Sequence, residues 1–429
     1  MIDMTGTALR RPFAALLLVA ASACSRLTDV SAPDAVQLPS LNSASGAEAL
    51  RIGSISGFAL VYAGAELGQI TSSGALADEF SNASTPVIAL AIADIRNLPE
   101  PGSSYPYLAV QRSRLDARRA ITALQTYTPD RRAKIGEQFA LAAYTEIFLG
   151  ENMCPGIPLG EMVDGNPVYG TPLSTDELFD HAIADFDSAL AYSGDSVRVM
   201  NLARIGRARA LLDRGRFADA AGAVVAVPTA YSYQLQYSAA QPNGVYNIVS
   251  VTKWITVADR EGINGLNFRS ANDPRVPTTF VSKGSDGVTD LYAFTRYSSV
   301  SSPIVLASGT EARLIEAEAM LKGGDSAGAL QALNALRAAV PGLAPLTMQS
   351  TDAGRIDQLF RERAFWLFAT GHRQGDLRRL MRQYGRASES VFPTGPYKDG
   401  RSYGTDVSFP PDIAQQDNPA FKGCTDRGA

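Results

Sequence analysis

Apolar residues recur at three- and four-residue spacing over most of the chain, in the stretches 47–68, 84–97, 106–127, 130–149, 174–192, 200–213, 217–226, 310–322, 326–339, 353–369 and 373–384. That period lines one face of an α-helix, so the pattern predicts a mostly α protein. The best-defined helix opens on Ser174 with Glu177 three residues on, a capping box, and carries Leu178, Phe179, Ile183, Phe186 and Leu190 on one face.

Two helix pairs share a template. Ala208, Leu211, Gly215, Ala220, Val224 and Val227 in the first return as Ala317, Met320, Gly324, Ala329, Leu333 and Leu336 in the second, always 109 residues later. Small residues sit where two antiparallel helices cross closely, a glycine sits at the turn, and larger apolar residues fill the next layer, as in tetratricopeptide-like helix hairpins. One such hairpin cannot bury its own apolar face. Stacked neighbours are therefore required, and the helices at 106–149 and 174–192 are placed to supply them.

Between these pairs the pattern fails. Residues 229–309 mix Tyr231, Tyr233, Tyr237, Tyr246, Trp254, Phe268, Phe280, Tyr292, Phe294 and Tyr297 with many Gly, Ser, Asn and Pro, which reads as a loop-rich, aromatic-containing insertion with short strands at most. A second irregular segment runs over 388–429. Long irregular segments on a repetitive scaffold are more often functional than accidental.

The N-terminus changes the picture of where the chain works. Arg10 and Arg11 precede the apolar run Phe13–Ala21, then Ser22, Ala23 and Cys24, the layout of an export signal over residues 1–23. The apolar run is about half the roughly 20 residues that span a bilayer, and no later stretch is long and uncharged enough to do so. A cysteine directly after Ala-Ser-Ala resembles a bacterial lipobox, which would make Cys24 an acylated N-terminus; the alternative is a chance cysteine at a general cleavage site. Residues 24–45, rich in Ser, Pro, Asp and Asn, read as a lipidated tether, and 46–429 as one domain. Cys154 and Cys424 remain, in a compartment where disulfides persist; they either pair or stay as two separately buried thiols.

Composition excludes more than it selects. A 45% hydrophobic chain of 429 residues buries a large core, and a net charge of −4 offers no footprint for nucleic acid. His181 and His372 are the only histidines and no cysteines have ligand spacing, so neither metal nor cofactor is expected. There is no nucleophile elbow and no phosphate-cradling loop. Glycoside hydrolysis needs only two carboxylates, which the composition neither supports nor excludes. The expectation is that the protein is not an enzyme.

The most chemical-looking stretch is RERAFWLFATGHRQGDLRRL, residues 361–380, where Asp376 follows His372 by four positions among arginines. Yet Ile356, Leu359, Phe360, Ala364, Leu367 and Phe368 form one apolar stripe, Gly371 supplies a helix stop, and Leu377, Leu380, Met381 and Tyr384 form a second stripe. His372 therefore sits at a corner between two amphipathic helices, where His, Arg and Asp satisfy exposed helix-end groups and one another, with Glu362 and Arg363 adding a pair. No third orienting group or cleft argues for catalysis.

Those same residues, Glu362-Arg363, Gly371-His372-Arg373, Asp376-Leu377 and Arg379, resemble the corner motif of the SusD/RagB-like outer-membrane nutrient-uptake lipoproteins. In matching order, TPLSTDELFDHAIADFDSAL, Asn272-Asp273-Pro274-Arg275, the stretch ending Leu333-Asn334-Ala335-Leu336-Arg337, and SFPPDIAQQDNPAF resemble further motifs of that family. The chain departs from the pattern at Trp366 and Thr370, where acidic residues are frequent, and at Asp412, where Glu is usual. The resemblance implies a SusD-like helical scaffold and a lipid-anchored protein at the outer membrane, surface-exposed. It also implies capture of a glycan or peptide nutrient and its delivery to a TonB-dependent, SusC-like transporter. Carbohydrate binding would use aromatic platforms in variable loops; within the insertion Trp254, Tyr231 and Tyr246 are the candidates. Two other readings stand beside it: a tetratricopeptide-type scaffold lipoprotein for protein–protein interaction or envelope assembly, which needs no aromatic pocket, and a hydrolase, which requires product.

Overall fold

A computed structural model of the chain describes residues 41–64, 67–100, 102, 105–163, 166–411 and 418–428. The helices are α1 (Ala44–Ala59), which continues through a π-helical turn at Leu60–Gly64, α2 (Gln69–Leu76), α3 (Ile88–Asp94), α4 (Tyr107–Tyr127), α5 (Arg132–Asn152), α6 (Thr175–Tyr192), α7 (Val197–Asp213), α8 (Phe217–Val224), α9 (Gly309–Lys322), α10 (Ser326–Ala338), α11 (Asp352–Trp366), α12 (Arg373–Tyr384) and the short α13 (Ser388–Val391). A brief helical stretch also covers Gly244–Val251. The signal segment, Cys24 and most of the tether lie outside the described residues, as does Asp412.

The periodic segments become helices at close to the expected positions. α6 starts on its capping box: the Ser174 hydroxyl accepts from the Glu177 amide at 3.2 Å, and the Glu177 carboxylate accepts from the Ser174 amide at 2.7 Å. Leu178, Phe179, Ile183 and Phe186 point inward, with Leu190 half-buried at the margin. α5 is buried along almost its whole length, between α4 on one side and α6 on the other, with α1 closing the layer. Where α7 crosses α6, Gly206 lets Phe186 approach so closely that a Cβ would lie 2.1 Å from the ring.

α7–α8 and α9–α10 are the two repeated hairpins. Gly215 and Gly324 occupy the turns at φ +71° and +88°, a conformation that glycine takes without strain. α9 packs on both α7 and α8, and α11 packs on α9 and α10, so the hairpins stack as their apolar faces require. One template position differs: Met320 is 36% exposed where Leu211 is fully buried. The first hairpin is covered on that side and the second is not.

Among the described residues, ten short strands form five two-stranded antiparallel ladders: β1 (Phe80–Asn82), β2 (Ile157–Pro158), β3 (Glu161–Val163), β4 (Asn166–Val168), β5 (Pro172–Leu173), β6 (Ser232–Leu235), β7 (Ile255–Val257), β8 (Thr278–Lys283), β9 (Asp290–Phe294) and β10 (Ile304–Ser308). β6 pairs with β10 and so brings the two ends of the 229–309 insertion together; β1 pairs with β7, and β8 with β9. The insertion is less of a surface appendage than its composition suggests. Tyr233, Tyr237, Phe268, Phe294 and Tyr297 are buried, and Phe268 packs against Phe365 and Phe368 with ring centroids 5.1 and 4.9 Å apart. Burial of large aromatic rings, not regular backbone pairing, holds it to the helices.

The C-terminal segment is likewise built in. Phe409 bridges to Met153 at the end of α5, its carbonyl accepts from the Cys154 amide at 3.0 Å, and Cys154 and Cys424 form a disulfide.

Candidate functional site

The 361–380 corner is a buried charge network. Arg363 holds Asp376 by two hydrogen bonds of 2.9 Å, and Arg379 reaches the same carboxylate at 2.9 Å and Glu318 at 2.6 Å. Arg373 grips Asp78 at 2.6 and 2.9 Å, Arg209 grips Glu151, and His372 Nε2 lies 3.0 Å from Glu311. All of these groups are buried, so the expected exposed helix-end arrangement is corrected. The helix corner is sunk into the scaffold, and its charges are paired across α5, α7 and α9. Burial works against ionisation of Asp376, but Arg363 and Arg379 outweigh it and hold the carboxyl well below the usual carboxylate range. A carboxylate held ionised by three hydrogen bonds from two buried guanidiniums is a weak base.

Glu362 and Arg363 also part company. Arg363 faces Asp376, whereas Glu362 turns the other way to accept from Arg275 at 2.5 Å and Arg337 at 2.7 Å. Arg275 is the arginine of the Asn-Asp-Pro-Arg motif and Arg337 closes the Leu-Asn-x-x-Arg motif. Three segments far apart in sequence therefore meet on one carboxylate, and their role is to lock the fold. Trp366, at a departing position, stacks against Arg275 at 5.1 Å, and Thr370 Oγ1 lies 2.8 Å from His372 Nδ1.

Next to this network, Glu79 has one oxygen accepting from the Ala369 amide at 3.1 Å and the other without a hydrogen-bond partner. Burial, helped by the neighbouring Asp78 carboxylate, pushes its pKa from 4.5 up to about 8. The folded chain thus keeps a proton that the unfolded chain releases near pH 4.5, so this group's contribution to stability falls as pH rises from about 4.5 through about 8. Glu79→Gln, which mimics the protonated form, is expected to flatten the loss of stability between pH 6 and 8.5. Urea unfolding of both proteins at the two pH values checks this; parallel slopes would refute it.

The three candidate aromatics fall on separate elements. The Tyr231 hydroxyl donates to the Arg198 carbonyl at 2.7 Å, Tyr246 lies in the helical stretch after Asn243, and Trp254 directly precedes β7, its carbonyl accepting from the Ala83 amide. Each is half-buried against the core. They line none of the described clefts. The cleft nearest Tyr231, of about 410 Å³, is instead lined by Arg51, Ile55, Glu137, Arg198, Tyr233 and Gln241. Its Glu137 carboxylate already accepts from Arg51 at 2.8 Å, Arg198 at 2.6 Å and Tyr233 at 2.9 Å, and Arg198 lies 4.0 Å over the Tyr233 ring. Those groups are largely spent on one another.

Beyond Trp254, the β8–β9 hairpin carries the insertion's exposed aromatic. Ser285 donates to the Lys253 carbonyl at 2.9 Å and the Tyr292 amide to Thr256 Oγ1 at 2.8 Å, which fixes the hairpin to the β1–β7 ladder. Phe280, 53% exposed, faces Tyr292 across the strands at 5.6 Å. The signal for this pair was available: Asp286-Gly287 between two alternating runs marks a hairpin. Among the described residues no group of three or more His, Cys, Asp or Glu is placed to hold a metal ion.

Stacked helix hairpins, a fold-locking arginine–carboxylate corner and an aromatic insertion define a helical-repeat scaffold that carries long irregular loops. Residues 310–423 match the model of the SusD family. Among solved structures, the SusD-like carbohydrate binding protein from Bacteroides vulgatus superposes with a TM-score of 0.63 at 14% identity, covering 87% of this chain and 96% of that one. B. fragilis NanU gives 0.65 at 14% over 91% and 99%, and surface glycan-binding protein A from Bacteroides thetaiotaomicron gives 0.66 at 11% over 90% and 100%. No curated protein matches. Residues 310–423 thus match the SusD family, and the chain as a whole shares its fold with SusD-like proteins.

Proposed function

We propose that the protein is a lipid-anchored ligand-binding subunit of the outer membrane that captures glycan or peptide nutrients, glycans first, and passes them to a TonB-dependent, SusC-like transporter. The observation that carries this reading is the SusD-family match joined to a fold shared with proteins described as carbohydrate- and glycan-binding. Two further features support it. A disulfide suits an oxidising compartment, in keeping with the export signal and Cys24. No described helix is long and apolar enough to cross a membrane, so attachment would fall to the lipid. The protein binds and releases its ligand without turnover.

A C-terminally tagged form recovered from host membranes is expected to bring down a TonB-dependent barrel in near-equal amount by mass spectrometry. Recovery of envelope-assembly proteins alone would sink the transporter partnership. The helix hairpins would then be read as a scaffold for protein contacts, and binding would survive alanine at Trp254, Tyr231 and Tyr246.

A further inference from the structure

The β8–β9 hairpin presents a stack that the rest of the fold does not use. Leu291 and Ala293 face the core, so β9 turns Tyr292 outward, half-buried, with Phe280 edge-on to it and 53% exposed. On Tyr292 lies the Arg269 guanidinium, 4.2 Å from the ring centroid. The loop bearing Arg269 is fixed by Asp259, whose Oδ1 accepts from the backbone amides of Arg269 and Ser270 at 3.0 and 2.9 Å. Thus the backbone is held while the side chain is left over: among the described residues the Arg269 guanidinium has no hydrogen bond and no ion pair, and its Nε is buried without a partner. Tyr292 Oη is likewise unengaged. Arginines of the corner are each committed to carboxylates or carbonyls, so an uncommitted guanidinium stacked on an aromatic at the surface is a different kind of feature.

Resting on the glycan-binding reading above, we propose that Arg269, Tyr292 and Phe280 form a subsite for a carboxylate-bearing saccharide. The apolar face of a pyranose covers an aromatic ring, and a planar guanidinium with free N–H donors takes a carboxylate bidentately. Charge complementarity selects the acidic sugar over a neutral one. The 410 Å³ cleft beside Tyr233 also stacks an arginine, Arg198, on a tyrosine, but the Glu137 carboxylate 2.6 Å from Arg198 would repel an acidic sugar there.

Calorimetric titration of the full mature protein with a panel of oligogalacturonates and oligoglucuronates, each beside its neutral counterpart of the same linkage, tests this. At least one acidic member is expected to bind about tenfold tighter than its neutral counterpart. Arg269→Gln should abolish that preference and leave neutral binding near wild type, Arg269→Lys should keep part of it, and Phe280→Ala should weaken both by about tenfold. All three changes are at surface positions, and an unchanged Tm would exclude misfolding. The subsite is overturned if neutral members bind as well as acidic ones, or if saccharides bind and neither Arg269→Gln nor Phe280→Ala alters it. Absence of any saccharide binding, acidic or neutral, in this panel and in a broad glycan array would instead remove the glycan reading itself, and the subsite with it.

Discussion

Asp376→Ala is expected to destabilise the protein by about 3–5 kcal/mol, because it leaves the buried Arg363 guanidinium without its hydrogen-bonded carboxylate and removes one of the two carboxylates that hold Arg379, which keeps Glu318. The size follows from the leftover charge and not from any claim that the pair outperforms apolar packing. Asp376→Asn keeps the shape and loses the charge, so it should be nearly as damaging. The exposed pair Arg386 and Asp357 is the control: Arg386→Ala should cost less than about 1 kcal/mol. Guanidinium unfolding of the three variants reads all of this, and an Asp376→Ala loss no larger than that of Arg386→Ala would show the corner to be open to water.

The second large effect concerns the disulfide. Cys154 and Cys424 close a loop with a sequence separation of 270. Opening it by serine at both positions is expected to cost roughly 5 kcal/mol if the chain-entropy account holds. A local effect accompanies the global one. The Thr425 amide donates to the Pro155 carbonyl at 3.1 Å, a contact that depends on the tie. Limited proteolysis should therefore nick the variant within 418–428 well before the parent. An unchanged unfolding midpoint together with an unchanged digest would show that the terminal segment is held by packing at Phe409 alone.

What the sequence reveals here depends on whether burial leaves a period. α4, α6, α8 and α10 were legible because each buries one stripe, and α5 and α7, buried almost throughout, showed through their three- and four-residue apolar spacing. α2 was not: Gln69, Thr71, Ser72 and Ser73 are all buried, with Thr71 and Ser73 hydroxyls returned to backbone carbonyls, so a central helix carries no apolar stripe to read. The corner does lie at a junction between two helices, but its depth was missed, because Asp78, Glu151, Glu311 and Glu318 come from segments that give no sign of converging. For the candidate site, the insertion was marked as the place to look, yet five of its ten aromatics are core. Exposure, which separates Phe280 from Phe268, is a property of three-dimensional packing that composition does not encode.

Among the described residues β8 pairs with β9 alone, which leaves its other edge open next to Phe280 and Val281. Such an edge can recruit a second copy. Two features oppose that. Phe280 stands opposite Tyr292 and Ser282 opposite Leu291, which leaves Val281 as an extra residue that bends the strand, and Lys283, paired with Asp290, places a charge at its end. Molecules crowded side by side on a membrane would meet edge to edge far more often than in dilute solution. The bulge and the lysine would then keep neighbouring copies apart and the hairpin face open to the medium.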